Sequence, residues 1–189
     1  MKKVICFFIL FVSFSMNSQQ IGKPSEGKSL VYFVRSNSMG FLINFKYFDG
    51  EKYLGKFNHG KYLAYECEPG KHLFWAKSEN VDFIEAELEV GKTYIIDSEP
   101  QMGAFKAGVK LIPFNNDPLS FKNEKKYNKK KNNLIECITS GELYKISEED
   151  KKDQEADLKD LISRSMEKYN KLKSKNEETT KLPKEMFVE

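Results

Sequence analysis

Gly60-Lys61-Tyr62-Leu63-Ala64-Tyr65-Glu66-Cys67-Glu68-Pro69-Gly70-Lys71-His72-Leu73-Phe74-Trp75-Ala76-Lys77 is the stretch that decides the fold. Two aromatic-rich runs flank a Glu-Pro-Gly break. Pro69 presets φ for the second position of a turn, and Gly70 accepts positive φ at the third. The stretch reads as a β-hairpin at the centre of a sheet.

Working outward, the same grammar of short apolar runs and tight polar turns extends from Leu30 to about Pro113. Leu30 to Val34 is a continuous apolar run, as expected of a strand buried on both faces. Phe41 to Phe48 reads as the next strand and ends at Asp49-Gly50, a strong hairpin signal. Phe83 to Val90 alternates cleanly, with Ile84, Ala86, Leu88 and Val90 on one face and three glutamates on the other. Counted through Phe114, the pattern predicts an antiparallel β-sandwich of about 7–8 strands over residues 29–115.

At Asn116-Asp117-Pro118 the character changes. Asp117 is placed to cap a helix that Pro118 begins, so residues 119–139 read as a lysine-rich helix. Ser147 and Asp150 suggest a second start, and Leu158, Ile162, Ser165, Tyr169 and Leu172 recur at helical spacing over 148–174. The short link between the two predicts an antiparallel helical hairpin over 116–175, joined through Leu134, Ile138, Leu158 and Ile162. Residues 176–189 read as a disordered tail and 19–28 as a flexible lead-in.

The first residues predict export. Met1-Lys2-Lys3 precedes the apolar run Val4 to Val12, and Ser13, Ser15 and Ser18 supply small residues for cleavage near Ser18. That run is too short to span a bilayer. Cys6 lies inside it, where no lipid attachment is expected, and the chain that follows contains no transmembrane segment. Losing Lys2 and Lys3 lowers the net charge from +3 to +1, so no global field draws nucleic acid. Cys67 and Cys137 then remain, either as a disulfide between the sheet and the C-terminal region or as two separate thiols.

The ordered set of turns resembles the domain-of-unknown-function 2846 family of exported bacterial proteins. The residues that carry the resemblance begin with Leu30-Val31-Tyr32-Phe33, Arg35 and Gly40. Asp49-Gly50 with Gly55, Asn58-His59-Gly60-Lys61-Tyr62, Pro69-Gly70-Lys71-His72 and Gly91-Lys92-Thr93-Tyr94 follow in order. It covers about residues 29–115, and the chain departs from the lipoprotein form of many members by lacking the lipid-bearing cysteine. The resemblance implies a β-sandwich of the cell envelope and brings no catalytic residue with it.

Candidate chemistry is sparse. Gly22 to Ser29 satisfies the phosphate-loop spacing, but a strand follows where that loop needs a helix. His59 and His72 are the only histidines, with no metal-ligand spacing and no nucleophile motif around them. No catalytic residue, metal site or cofactor is therefore assigned. Tyr47, Tyr53 and Trp75, with Tyr62 and Tyr65, are candidates for an exposed stacking platform for sugars or peptides, set against their use as core. Lys122 to Lys131 carries six lysines against Glu124, which reads as a solvated helix face or as a weak contact for an anionic lipid or polysaccharide. The reading is an exported, non-catalytic binding or structural module whose partner is an envelope protein, peptide or polysaccharide. The alternative is a carbohydrate- or peptide-binding protein using exposed aromatics; a hydrolase ranks below both.

Overall fold

A computed structural model describes residues 21–102, 107–146 and 155–188. The proposed leader and its cleavage point, and the cap at Ser147 and Asp150, lie outside the described residues. Eight strands fall within the predicted span: β1 (Ser29–Val34), β2 (Phe45–Asp49), β3 (Lys52–Phe57), β4 (Lys61–Cys67), β5 (Gly70–Lys77), β6 (Val81–Leu88), β7 (Thr93–Met102) and β8 (Ala107–Pro113). Helices α1 (Glu124–Thr139) and α2 (Glu155–Ser174) and strands β9 (Glu142–Leu143) and β10 (Thr180–Leu182) follow. The chain is mainly β and sandwich-like, with two five-stranded sheets in the orders β8-β7-β1-β4-β9 and β10-β6-β5-β2-β3.

The sheets are mixed, which corrects the expected all-antiparallel arrangement. β1 runs parallel to β7, β4 to β9 and β6 to β10. Short turns join the consecutive antiparallel neighbours β2–β3 and β5–β6. The hairpin expected at Pro69-Gly70 is corrected too: β4 pairs with β1 and β9 and β5 with β2 and β6, so the Glu-Pro-Gly break carries the chain from one sheet to the other. The parallel pairs join strands far apart in the chain, where no turn signal records the pairing.

Alternation along the strands builds three apolar layers. Val31 and Phe33 of β1, Phe74 and Ala76 of β5, and Ile84, Ala86 and Leu88 of β6 fill the space between the sheets. Leu30, Tyr32 and Val34 point to the opposite side of β1, where Tyr127, Leu134 and Ile138 of α1 cover them. Phe48, Trp75 and Phe83 form the outer side of the second sheet, and Leu158 of α2 packs there with Ile162, Met166 and Tyr169 beside it. The helices therefore cover outer faces of different sheets and do not join through the predicted hairpin seam. Each sheet presents an apolar outer face, and a helical stripe laid on each removes that face from water.

Three further expectations are corrected. Val90 lies beyond the end of β6 and is exposed. The tail is structured: β10 extends the second sheet, Leu182 is buried in the central core, and the Val188 amide donates to the Thr93 carbonyl at 2.8 Å. The lead-in is tied down as well, since Ser25 donates through its amide and hydroxyl to Glu66, and Lys28 pairs with Glu68.

Candidate functional site

The helix α1 is set by its ends and by one buried ion pair. Asp117 accepts from the Leu119 amide and opens a single 3-10 turn at Pro118–Ser120, so the predicted cap belongs to this turn. The α-helix starts six residues later, where the Asn123 side chain accepts from the Lys126 amide at 2.9 Å. Lys130 then reaches down to β7, donating to Asp97 at 2.5 Å and to Glu99 at 3.0 Å. Asp97 is fully buried and also accepts from the amide and hydroxyl of Ser36. These partners hold the Lys130 ammonium above its ordinary range, against the opposing effect of its burial.

This placement leaves a cleft of about 560 Å³ between α1 and the edge strand β8. Ile112, Phe114 and Phe121 give it an apolar floor, while Lys126 and Lys129 stand on its rim. Phe121 and Tyr127 pack edge to face at 5.5 Å, which fixes the floor against the helix. Lys126 and Lys129 form no ion pair among the described residues. Leu119, at the mouth of the helix, is 92% exposed. A polar head of negative charge and an apolar tail would both find partners here. The lysine run supplied half of this site to sequence reading; the apolar half comes from Ile112 and Phe114 at the end of the last predicted strand and from Phe121, which no pattern brought together.

The proposed aromatic platform is not formed. Tyr47 is buried between the sheets and stacks on Phe57 at 4.4 Å. Trp75 is buried beneath α2, stacked on Phe48 at 3.8 Å, with its indole donating to the Gly50 carbonyl at 2.7 Å. Tyr53, Tyr62 and Tyr65 are partly buried, and Tyr53 lines a groove of about 960 Å³ beside α2. That groove carries mixed charge from Glu51, Lys159 and Glu167 and presents no single electrostatic sign.

His72 does meet a carboxylate. Its Nδ1 lies 2.7 Å from Asp49 and its Nε2 lies 2.8 Å from the Glu68 carbonyl. With acceptors on both nitrogens, the ring is held as an imidazolium, and the Asp49 bond leads in pushing its pKa up to about 10. A ring so held has no free lone pair for base catalysis. It latches the β2–β3 hairpin to the turn before β5, and Tyr65 donates to the same Asp49 at 3.1 Å.

Cys67 and Cys137 are both free and face different layers, Cys67 between the sheets and Cys137 beneath α1. The bridge left open by the sequence is not formed. Burial pushes the Cys137 thiol up to about 11, followed by the charges of Asp97 and Glu136. Cys137 and His59 line one small polar recess of about 260 Å³, and His59 Nδ1 donates to the Arg35 carbonyl at 2.9 Å. A thiol protonated at neutral pH is a poor nucleophile there.

Gly22 to Ser29 forms a turn that runs into β1, and Lys28 is occupied by Glu68. No group of three metal-ligating side chains occurs among the described residues, and no described helix is long and apolar enough to cross a membrane. Comparison with family models, with curated proteins and with solved structures finds no match to this chain.

Proposed function

We propose that the chain is an exported, non-catalytic binding module of the bacterial cell envelope whose ligand is an anionic amphiphile. The observation that carries this reading is the α1 cleft, where Lys126 and Lys129, without an ion pair among the described residues, stand over the apolar floor of Phe114 and Phe121. The lysines attract a phosphate or carboxylate head, and the floor takes the hydrocarbon that lysines alone would leave in water. The leader-like first residues and the resemblance to the domain-of-unknown-function 2846 family support the envelope location. The occupied nitrogens of His72 and the raised thiol of Cys137 support a role without catalysis. A polysaccharide fits less well, because Tyr47 and Trp75 are buried and offer no stacking surface.

Calorimetric titration with monomeric lysophosphatidylglycerol tests the reading, with lysophosphatidylcholine as the comparison. Binding of the anionic lipid alone, weakened about tenfold or more by Lys126→Glu with Lys129→Glu, is the expected result. Equal binding of both lipids, or no effect of the double variant, contradicts it.

A further inference from the structure

The segment Asn37-Ser38-Met39-Gly40-Phe41-Leu42-Ile43-Asn44 has no charged residue, in a chain where 31% of residues are charged. The sequence pattern reads Phe41 as the start of a strand, yet β2 begins only at Phe45. Phe41 and Leu42 instead stand in solvent, 59% and 71% exposed, with Met39 at 51%. Exposed single hydrophobics are ordinary, but three within four residues on one loop are not.

The loop is built to hold this display. Arg35 is buried and its guanidinium lies 4.2 Å over the Phe45 ring. It donates to the Ile43 carbonyl and, at 3.3 Å each, to the carbonyls of Met39 and Gly40. Gly40 turns the chain at φ +60, and the Ile43 amide closes back on the Gly40 carbonyl at 2.9 Å. The Asn37 side chain accepts from the Met39 amide at 2.9 Å. Three backbone carbonyls on one buried guanidinium fix the loop before any partner arrives, which reduces the ordering cost of docking.

We infer that this loop is a wedge that enters the interfacial layer of an anionic bilayer, beside the lysine face of α1. The inference rests on reading the α1 cleft as a site for anionic amphiphiles, and it names the form in which they are met. Two observations select a bilayer. The base of the loop adjoins the lysine helix, since Lys130 Nζ lies 3.5 Å from Ser36 Oγ. Apolar wedge and lysines thus occur together, and stable interfacial binding takes two such signals. Leu119, exposed at the entry to the same helix, adds a second apolar point. A charge-free exposed tip whose base meets the lysine helix matches a surface that is anionic outside and apolar beneath.

Leu42→Trp supplies the test, because Trp75 is the only native tryptophan and is buried. The chain from Gln19 holds every described residue and avoids the apolar leader. It is mixed with phosphatidylglycerol vesicles containing brominated acyl chains, and co-sedimentation is measured in parallel. A blue-shifted emission quenched by the bromines, together with a tenfold or greater loss of co-sedimentation in Phe41→Ser with Leu42→Ser, supports the wedge. Co-sedimentation without quenching overturns the wedge and leaves the cleft reading standing. Absent co-sedimentation alongside retained lysophosphatidylglycerol binding does the same. Loss of both vesicle and lysolipid binding overturns the wedge and the cleft reading together. Unchanged circular dichroism of the Ser variant shows that its loss is not unfolding.

Discussion

Lys130 of α1 and Asp97 of β7 form a 2.5 Å ion pair in which the carboxylate is fully buried and the ammonium is a quarter exposed. The pair fastens the lysine-rich helix to the sheet and spaces Lys126 and Lys129 along the cleft rim. It separates one structural lysine from its solvent-facing neighbours in a run that looks uniform in sequence.

Replacing Lys130 by Met strands the Asp97 charge among Ser36 and Glu99. The expected cost is about 3 kcal/mol, the scale for removing one partner of a buried pair. Urea denaturation of Lys130→Met checks it. Lys126→Met, which breaks no ion pair among the described residues, is expected within about 0.5 kcal/mol of the parent.

Stability should also depend on His72 in alkaline solution. Its folded pKa of about 10 lies above the ordinary value of 6.5. The stabilisation is therefore fully present below pH 6.5 and is lost as pH rises toward 10. Denaturation midpoints across that window should fall for the parent and flatten for His72→Gln. The ring protons of His72 should show no titration between pH 5 and 8 by NMR.

The C-terminal strand is part of the core. Leu182→Ala is expected to cost about 3 kcal/mol by the usual scale for buried leucine truncation. Glu85 accepts from Lys181, Thr179 and Lys173, and these contacts, Lys181 foremost, hold its carboxyl at about 2. That depressed value makes the attachment of β10 and α2 stable above the ordinary carboxylate range and weaker as pH falls toward 2. Hydrogen-exchange protection at Thr180 to Leu182, relative to intrinsic rates at each pH, should fall in acid before that of the central strands.

How much was legible follows from what each signal encodes. Alternation and turn residues are local, so β1 to β8, the burial of both faces of β1 and the inward face of Ile84, Ala86 and Leu88 could be read directly. Gly55 illustrates a motif whose reason is tertiary: a Cβ there would lie 2.2 Å from the Tyr144 ring, and φ is +143. The partners of the two helices could not be read. Leu134 and Leu158 each announce an apolar stripe, but a stripe names no partner, and each met a sheet face. For the same reason Trp75 and Tyr47 could be read as platform as well as core, with core the stronger reading. In the α1 cleft the lysines were visible as composition, whereas its floor comes from Ile112, Phe114 and Phe121 at the junction of strand and turn.

The cover over Trp75 has its own consequence. Leu158→Asp places a charge against Trp75, Phe48 and Phe83 and should loosen α2 from the sheet. Trp75 emission is expected to shift to the red while far-ultraviolet β signal persists. An unchanged emission maximum would place the weight of that layer elsewhere than Leu158.

The central claim is that the cleft under α1 holds an anionic amphiphile, and chemical-shift mapping by NMR tests it most directly. Monomeric lysophosphatidylglycerol added to the isotope-labelled chain from Gln19 should perturb Ile112, Phe114, Phe121, Lys126 and Lys129 first, in a saturable way. Perturbation centred on Tyr53, Ile162 and Met166 beside α2, or no saturable perturbation at the α1 cleft, would contradict the account.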